Sequence, residues 1–295
     1  MARITIGIPF YNCEDTIANT VRSVFAQAFQ DWELILLDDG STDNSLNIAR
    51  SIKDSRVRVI SDGVNKGIGA RRKQIVDMAE GKYLAWQDAD DLMHPDRLRI
   101  QYSFLENHNE VDILDTSYFT IDPIHNILRL LEKTEGYVNA DEMAKFPSLT
   151  NGTSMAKSGV YKRFNYDEKL RRSEDWDVWL QALNRCKYYH LKAILYYRVD
   201  ADINQKPRMN RELIGPKYNS KIYMKYGFRY LGFFSCLKLI IRLYMRAFYR
   251  IILILIGQHK RFRAEKTSTL TPETKAIAEQ GLKQIFETRI PGIDI

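Results

Sequence analysis

The sequence predicts an α/β protein, a doubly wound and mostly parallel sheet followed by a C-terminal helical appendage. Three observations carry this reading. Strand-like and helix-like patterns alternate with short links from Arg3 to Gln87, the order that builds parallel sheets with right-handed crossovers. One of these strands, residues 32–37 (WELILL), is almost wholly apolar, as a strand covered on both faces must be. From about Lys221 the composition shifts toward Ile, Leu, Phe, Tyr, Lys and Arg.

Residues 3–9 alternate as RITIGIP, with Ile4, Ile6 and Ile8 on one face of a short strand. Asn12 is placed to cap the next helix, Glu14 and Asp15 suit its first turn, and Ile17, Val21, Val24 and Ala28 recur at helical spacing. Strand 32–37 runs into Asp38-Asp39-Gly40-Ser41-Thr42-Asp43. A helix over 44–53 leads to a strand over 57–61. The turn Asn65-Lys66-Gly67 opens a third helix reaching Glu80, and strand 82–87 ends in Asp88-Ala89-Asp90-Asp91. The pattern then weakens. Helices are expected over 95–107, 174–185 and 272–289, and strands over 112–119, 151–160 and 193–199. The division that follows is an α/β domain over 1–220, with a regular part over 1–110 and a less regular part over 111–220, and a basic amphipathic helical region over 221–295.

The chain has 295 residues, 45% hydrophobic and 27% charged, with a net charge of +7 and a pI near 9.1. This is the make-up of a folded protein, and its basic balance points to an anionic partner: nucleic acid, a membrane surface or a phosphorylated substrate. Cys13, Cys186 and Cys236 are too widely spaced for a zinc knuckle, which predicts reduced thiols in a cytoplasmic protein. The N-terminus runs straight into a strand, so no signal peptide is expected.

In an open parallel sheet, ligands bind outside the carboxyl ends of the strands. Three strands end in chemistry at that edge: Pro9-Phe10-Tyr11-Asn12, Asp38-Asp39, and Asp88-Ala89-Asp90-Asp91. One acidic turn is ordinarily a cap or a polar loop. Two on one edge repel unless a cation or donor groups offset them. Asp-x-Asp at a strand end suits a hard divalent cation, Mg²⁺ or Mn²⁺, with water and phosphate oxygens completing an octahedral shell. Such a metal offsets charge developing on a departing diphosphate.

The set IPFYN, LLDDGSTDNS, GKYLAWQDADD with HPDRL, and SEDWDVWLQAL resembles the family 2 glycosyltransferases of the GT-A fold, the Rossmann-like fold of nucleotide-diphospho-sugar transferases, over roughly residues 3–200. The resemblance implies that Pro9 and Tyr11 line the nucleotide pocket and that Asp39 accepts a hydrogen bond from a uracil imide, favouring a UDP-sugar donor. Asp38 is the less secure member of its pair. Asp88 would lie near the ribose and donor sugar, Asp90 would hold the metal, and Asp91 would be a helix cap or a support. Arg72 falls at the family's arginine position and would meet the donor diphosphate, with Arg71 as the alternative; solvated charges on a helix face are the competing reading. Gly67-Ile68-Gly69 lacks the third glycine of a dinucleotide loop. His94 is explained by helix entry at Pro95 rather than by metal ligation.

Replacing a diphosphate by an alcohol requires a base for the attacking hydroxyl. The resemblance places that base at Asp175 and implies a single displacement that inverts the anomeric centre. Glu174 would orient the loop or contact the acceptor, Trp176 would stack on an acceptor sugar unless it belongs to the core, Asp177 would be structural, and residues 151–154 and 170–173 would frame the acceptor side. Residues 122–146 match the family pattern poorly and are left for acceptor specificity. The Gln-x-x-Arg-Trp pattern of processive members is absent, so one sugar is moved per encounter.

Residues 231–256 are apolar but interrupted by Lys238, Arg242, Arg246 and Arg250. No charge-free run has a spanning length. The pattern suits a helix lying on an anionic membrane surface, extended by Lys260, Arg261 and Arg263; the competing reading is a helix docked by its apolar side on the enzyme's own core or at a dimer contact. Concentrating positive charge there favours a membrane over nucleic acid. The expectation is a peripheral enzyme at the inner face of the cell membrane, acting on a glycan or lipid-linked acceptor of lipopolysaccharide, capsule or exopolysaccharide synthesis. The rivals are a sugar nucleotidyltransferase, which would need a Gly-rich phosphate loop after the first strand, and a non-catalytic nucleotide-sugar-binding protein.

Overall fold

The computed structural model describes residues 2–145, 149–164, 166–200, 209–256 and 270–294. In chain order the elements are β1 (Ile4–Phe10), α1 (Ile17–Phe25), β2 (Trp32–Asp38), α2 (Ser45–Ser51), β3 (Val57–Ile60), α3 (Ile68–Met78), β4 (Tyr83–Trp86), β5 (Leu92–Met93) and α4 (Arg97–Asn107). Next come β6 (Ile113–Ile121), β7 (Ile127–Leu131), β8 (Gly136–Tyr137), α5 (Ala140–Lys145), β9 (Met155–Lys157), α6 (Ser158–Arg163), α7 (Glu174–Ala182) and β10 (Tyr188–Val199). The chain ends in α8 (Met209–Ile222), a π-helical turn over Tyr223–Gly227, α9 (Phe228–Leu231), α10 (Phe233–Leu255) and α11 (Pro272–Glu287).

The sheet runs β3-β2-β1-β4-β9-β6-β10-β5, with β7 on β6 and β8 on β10. β1, β2, β3 and β4 pair in parallel. The short β9 pairs antiparallel to both β4 and β6, so β6 runs the same way as β4, and β10 is parallel to β6. The six principal strands therefore share one direction, and their carboxyl ends form one edge. The register Phe10↔Asp38 brings the ends of β1 and β2 level there, while β4 ends opposite Gly7 and its acidic turn continues along the same edge.

Period-two alternation divides the core. Ile4, Ile6, Ile8, Leu34 and Leu36 pack with α1 and α4 on one face. Ile35, Leu37, Leu84 and Trp86 pack with Ile75 of α3 and Trp176 and Trp179 of α7 on the other. Gly7 points to this second face, where a Cβ would stand 2.7 Å from Ile75 and 2.8 Å from Trp86. Only glycine admits that close approach.

The strand expected over 151–160 is shorter. Residues Asn151–Thr153 form a 3₁₀ turn, Met155–Lys157 are the strand, and Ser158–Arg163 are helical. The turn closes through Ser154 N–H donating to the Asn151 carbonyl at 2.9 Å.

The boundary expected at Lys221 falls in the last turn of α8, which packs against α10. α11 returns to the sheet: Ala278, Leu282 and Ile285 pack with Phe119, Ile121 and Tyr197, and Arg22 pairs with Asp294 at 2.7 Å. Among the described residues no helix is long and apolar enough to cross a membrane. The basic residues Lys260, Arg261 and Arg263 lie outside the described residues.

Candidate active site

Pro9 is buried in β1 opposite Leu37, and Tyr11, just beyond the strand, is 48% exposed at the sheet edge. Asn12 does not cap α1. Its backbone takes the left-handed conformation, φ 47°, and its amide oxygen accepts from Thr42 N–H at 2.8 Å. The first loop is thereby tied to the acidic turn after β2. Asp38 is fully buried, accepting from Ser41 N–H at 3.0 Å and Ser61 Oγ at 2.7 Å, so it holds the turn. Asp39 accepts from Lys66 N–H at 2.7 Å, Gly67 N–H at 3.0 Å and Arg71 Nε at 2.9 Å.

Arg71 and Arg72 are both buried, so neither is a solvated charge on a helix face. As helix neighbours they point about 100° apart and serve different sides. Arg71 pairs with Asp39 and with Asp62 at 2.6 Å. Arg72 reaches across the cleft: its guanidinium pairs with Asp88 at 3.2 Å and with Glu174. With its amide oxygen facing the same guanidinium, Asn151 accepts at 3.0 Å.

The turn after β4 separates its three carboxylates. Asp91 is buried and accepts from Tyr196 Oη at 2.8 Å and Val199 N–H at 2.7 Å. It ties the turn to β10 and does not cap α4. Burial, then the nearby Asp90 and Asp88 carboxylates, push its pKa well above the usual range. Asp88 is partly exposed and Asp90 exposed.

Among the described residues no three His, Cys, Asp or Glu side chains converge as a metal cage. An exposed Asp90 beside a half-exposed Asp88 fits a different arrangement. Mg²⁺ and similar ions bind through one or two carboxylates and take their remaining ligands from substrate phosphates and water. Asp90 and Asp88 add to the rise that burial causes at Asp91, and a cation there would relieve that added part.

On the far side of the cleft, Ser173 precedes α7 in the left-handed region, φ 59°, and its hydroxyl donates to Asn219 of α8 at 2.6 Å. Glu174 is buried on Arg72. Burial pushes its pKa up to about 7, with Arg72 opposing and Asp175 adding to the rise. Asp175 is partly buried and accepts from Trp176 N–H at 2.8 Å. Burial raises its pKa also; Arg72 lowers it and Asp88 adds to it. Asp88, Arg72, Glu174 and Asp175 thus share one electrostatic neighbourhood.

Trp176 is a correction. It is 1% exposed, its indole N–H donates to the Met143 carbonyl at 3.0 Å, and its ring meets Tyr223 edge-on. It faces the core and offers no surface to an acceptor sugar. Asp177 is fully buried, bonded to Gln181 and Lys225 at 2.8 Å each, and it anchors the helical tail. His94 is partly buried, stacked on Tyr197 and lying against Gly281 of α11.

The Glycosyl transferase family 2 profile matches residues 5–168. The chain belongs to glycosyltransferase family 2. It is 33% identical over 208 residues to the putative glycosyltransferase EpsE of Bacillus subtilis, covering 68% of this chain and 74% of that one. It is 30% identical over 215 residues to WfaP of Escherichia coli, named a UDP-Glc:α-D-GlcNAc-diphosphoundecaprenol β-1,3-glucosyltransferase, covering 68% and 79%. Among solved structures, Staphylococcus aureus TarS 1-349 in complex with UDP-GlcNAc superposes with a TM-score of 0.63 at 17% identity, over 97% of this chain and 81% of that one. The longer TarS chain is matched over only 43% of its length. The mannosyltransferase PcManGT of Pyrobaculum calidifontis, in complex with GDP-Man and Mn²⁺, gives 0.60 at 12% identity, over 98% and 88%. At such identities the structures show a shared GT-A type fold. The protein is a glycosyltransferase, and the nucleotidyltransferase and non-catalytic readings give way.

In this family 2 glycosyltransferase, Tyr196 escapes the sequence reading, and Gly152, expected on the acceptor side, stands beside Asp88. Tyr196 lies under the acidic turn, and Gly152 lies against its hydroxyl and 2.8 Å, by its would-be Cβ, from Asp88. A tyrosine within an aromatic strand carries no mark distinguishing it from core. Arg171, expected on the acceptor side, donates to Asn65 Oδ1 at 2.8 Å and lies against Gly67, beside the turn that holds Asp39.

Proposed function

We propose that this glycosyltransferase moves one sugar from a UDP-sugar to a hydroxyl of a lipid-linked glycan at the inner face of the cell membrane, in a single inverting displacement assisted by Mg²⁺ or Mn²⁺. One observation carries the reading: Arg72 links the donor-side carboxylate Asp88 to the start of α7, where Asp175 stands.

Asp39 keeps lone-pair capacity on Oδ2, which accepts a single N–H from Gly67, so it can receive an imide N–H as well. Tyr11 offers an exposed ring to the base. The metal, when bound at Asp90 with support from Asp88, supplies Lewis-acid charge to the leaving diphosphate. Asp175 takes the proton of the attacking hydroxyl. Burial raises its proton affinity, which suits a base, and Arg72 opposes the rise. Glu174, fixed on Arg72, orients the base. WfaP, by name, forms a β linkage on a diphosphoundecaprenol acceptor, the product one displacement on an α-linked donor would give.

The test is UDP release from a panel of UDP-sugars with Mn²⁺, with Mg²⁺ and with EDTA. Release from a UDP-sugar that stops on chelation is expected. Turnover of GDP-sugars alone, or turnover indifferent to chelation, overturns the donor and metal assignments.

A further inference from the structure

The tail helix presents two apolar faces. Cys236, Ile240, Leu243, Ala247 and Ile254 of α10 lie on one side, buried or partly buried against the body of the enzyme. At 100° per residue they fall within about 60° of arc. Phe234, Ile241, Met245, Phe248 and Leu255 are exposed, from 50% at Ile241 to 84% at Phe234. They occupy a second stripe about 80° wide, centred roughly 130° round from the first. Of the nineteen large apolar side chains exposed among the described residues, eleven lie between Phe233 and Ile256. A soluble surface rarely gathers so many in one place without a partner.

Charge selects the partner. Lys238, Arg242, Arg246 and Arg250 are exposed; Lys238 and Arg242 flank the outer stripe, about 60° and 100° from its centre, and Arg246 and Arg250 wind on toward the opposite side. Residues 213–264 contain no Asp or Glu. Two copies meeting through this face would bring like charges together with no carboxylate to pair them. A bilayer surface bearing anionic headgroups meets both requirements, taking the apolar stripe into its interface and pairing the cations that flank it, Lys238 and Arg242.

We propose that α10 is a two-faced adaptor, one side docked on the enzyme and the other lying in the interface of an anionic bilayer through Phe234, Ile241, Met245, Phe248 and Leu255. Docking on the core and binding a membrane, alternatives on sequence alone, are divided between two faces of one helix. The role of this contact in meeting an acceptor rests on the lipid-linked reading above; the contact itself does not.

The test is co-sedimentation of the full chain with phosphatidylglycerol–phosphatidylcholine vesicles and with phosphatidylcholine vesicles. Wild type is expected to partition onto the anionic vesicles, and Met245→Glu/Phe248→Glu to lose at least about tenfold in partitioning. Arg242→Gln/Arg246→Gln is expected to weaken binding to the anionic vesicles. Hydrolytic UDP release without lipid reports folding and catalysis, and it should be unchanged in all variants. Equal partitioning of wild type and Met245→Glu/Phe248→Glu overturns the proposal, as does a wild-type dimer that this double substitution converts to monomer. Failure of UDP release in wild type would count against the catalytic reading alone.

Discussion

Replacing Arg72 by Met keeps the apolar stem of the side chain and deletes a buried charge shared by two carboxylates. Glu174 is already held near pH 7, above its ordinary 4.5, with Arg72 lowering it. A carboxyl raised on folding contributes most to stability below its unfolded value, and that contribution is lost as pH rises through its folded value. Wild type therefore loses Glu174's share between about pH 4.5 and 7. In Arg72→Met the folded value moves higher, so the loss continues above pH 7, at up to about 1.4 kcal/mol per pH unit. The deficit of the variant should be small at pH 6 and grow toward pH 9 in urea unfolding. Asp175 feels the same cation. Losing an opposite charge at this range raises a carboxylate by about 1 to 3 units, so the acidic limb of kcat/KM for UDP release should move up by that much. Arg72→Lys should restore part of both effects. A stability deficit flat with pH, together with an unmoved limb, would refute the claim that Arg72 sets the field at the start of α7.

Asp175→Asn keeps an acceptor for Trp176 N–H and removes the base; UDP binding by calorimetry should be unchanged while turnover falls at least about a hundredfold. Equal rates would remove Asp175 from that role. Gly152→Ala puts a methyl 2.8 Å from Asp88 and against Tyr196 Oη, so donor KM and kcat should both worsen with little change in the Asp39 side; unchanged kinetics would mean Asp88 has room to move. Lys225→Met strips the fully buried Asp177 of its cation and should cost about 1 to 3 kcal/mol in urea unfolding, with activity at saturating donor nearly intact.

The parallel half of the sheet was legible because each strand carries its burial in its pattern. Residues 32–37 are almost wholly apolar and lie covered on both faces, while the alternation of Ile4, Ile6 and Ile8 conceals that β1 is buried on both as well, its second face closed where Gly7 meets Ile75 and Trp86. The second half was harder to read. β5, β8 and β9 are two or three residues long, too short for any periodicity to register, and their existence depends on pairing with distant strands. At the site, carboxylates at strand ends announced themselves, and the acidic edge needed only the parallel topology to assemble. The division of labour within it did not show. Asp38 and Asp39, or Asp90 and Asp91, are indistinguishable by type. What separates them is whether Ser61, Tyr196 or a turn N–H lies within reach, a fact of tertiary packing. Trp176 misled for the same reason, since an aromatic at the start of a helix reads alike whether it faces a cleft or Met143.

The account turns on a nucleotide diphosphate and a cation meeting at the edge formed by β1, β2 and β4. A crystal soaked with UDP and MnCl₂ tests it directly through the anomalous signal of manganese. The expected map has manganese on the Asp90 carboxylate bridging the diphosphate, with uracil against Tyr11 and its imide on Asp39. Manganese and uracil ordered elsewhere, with Asp90 and Asp39 untouched, would contradict it.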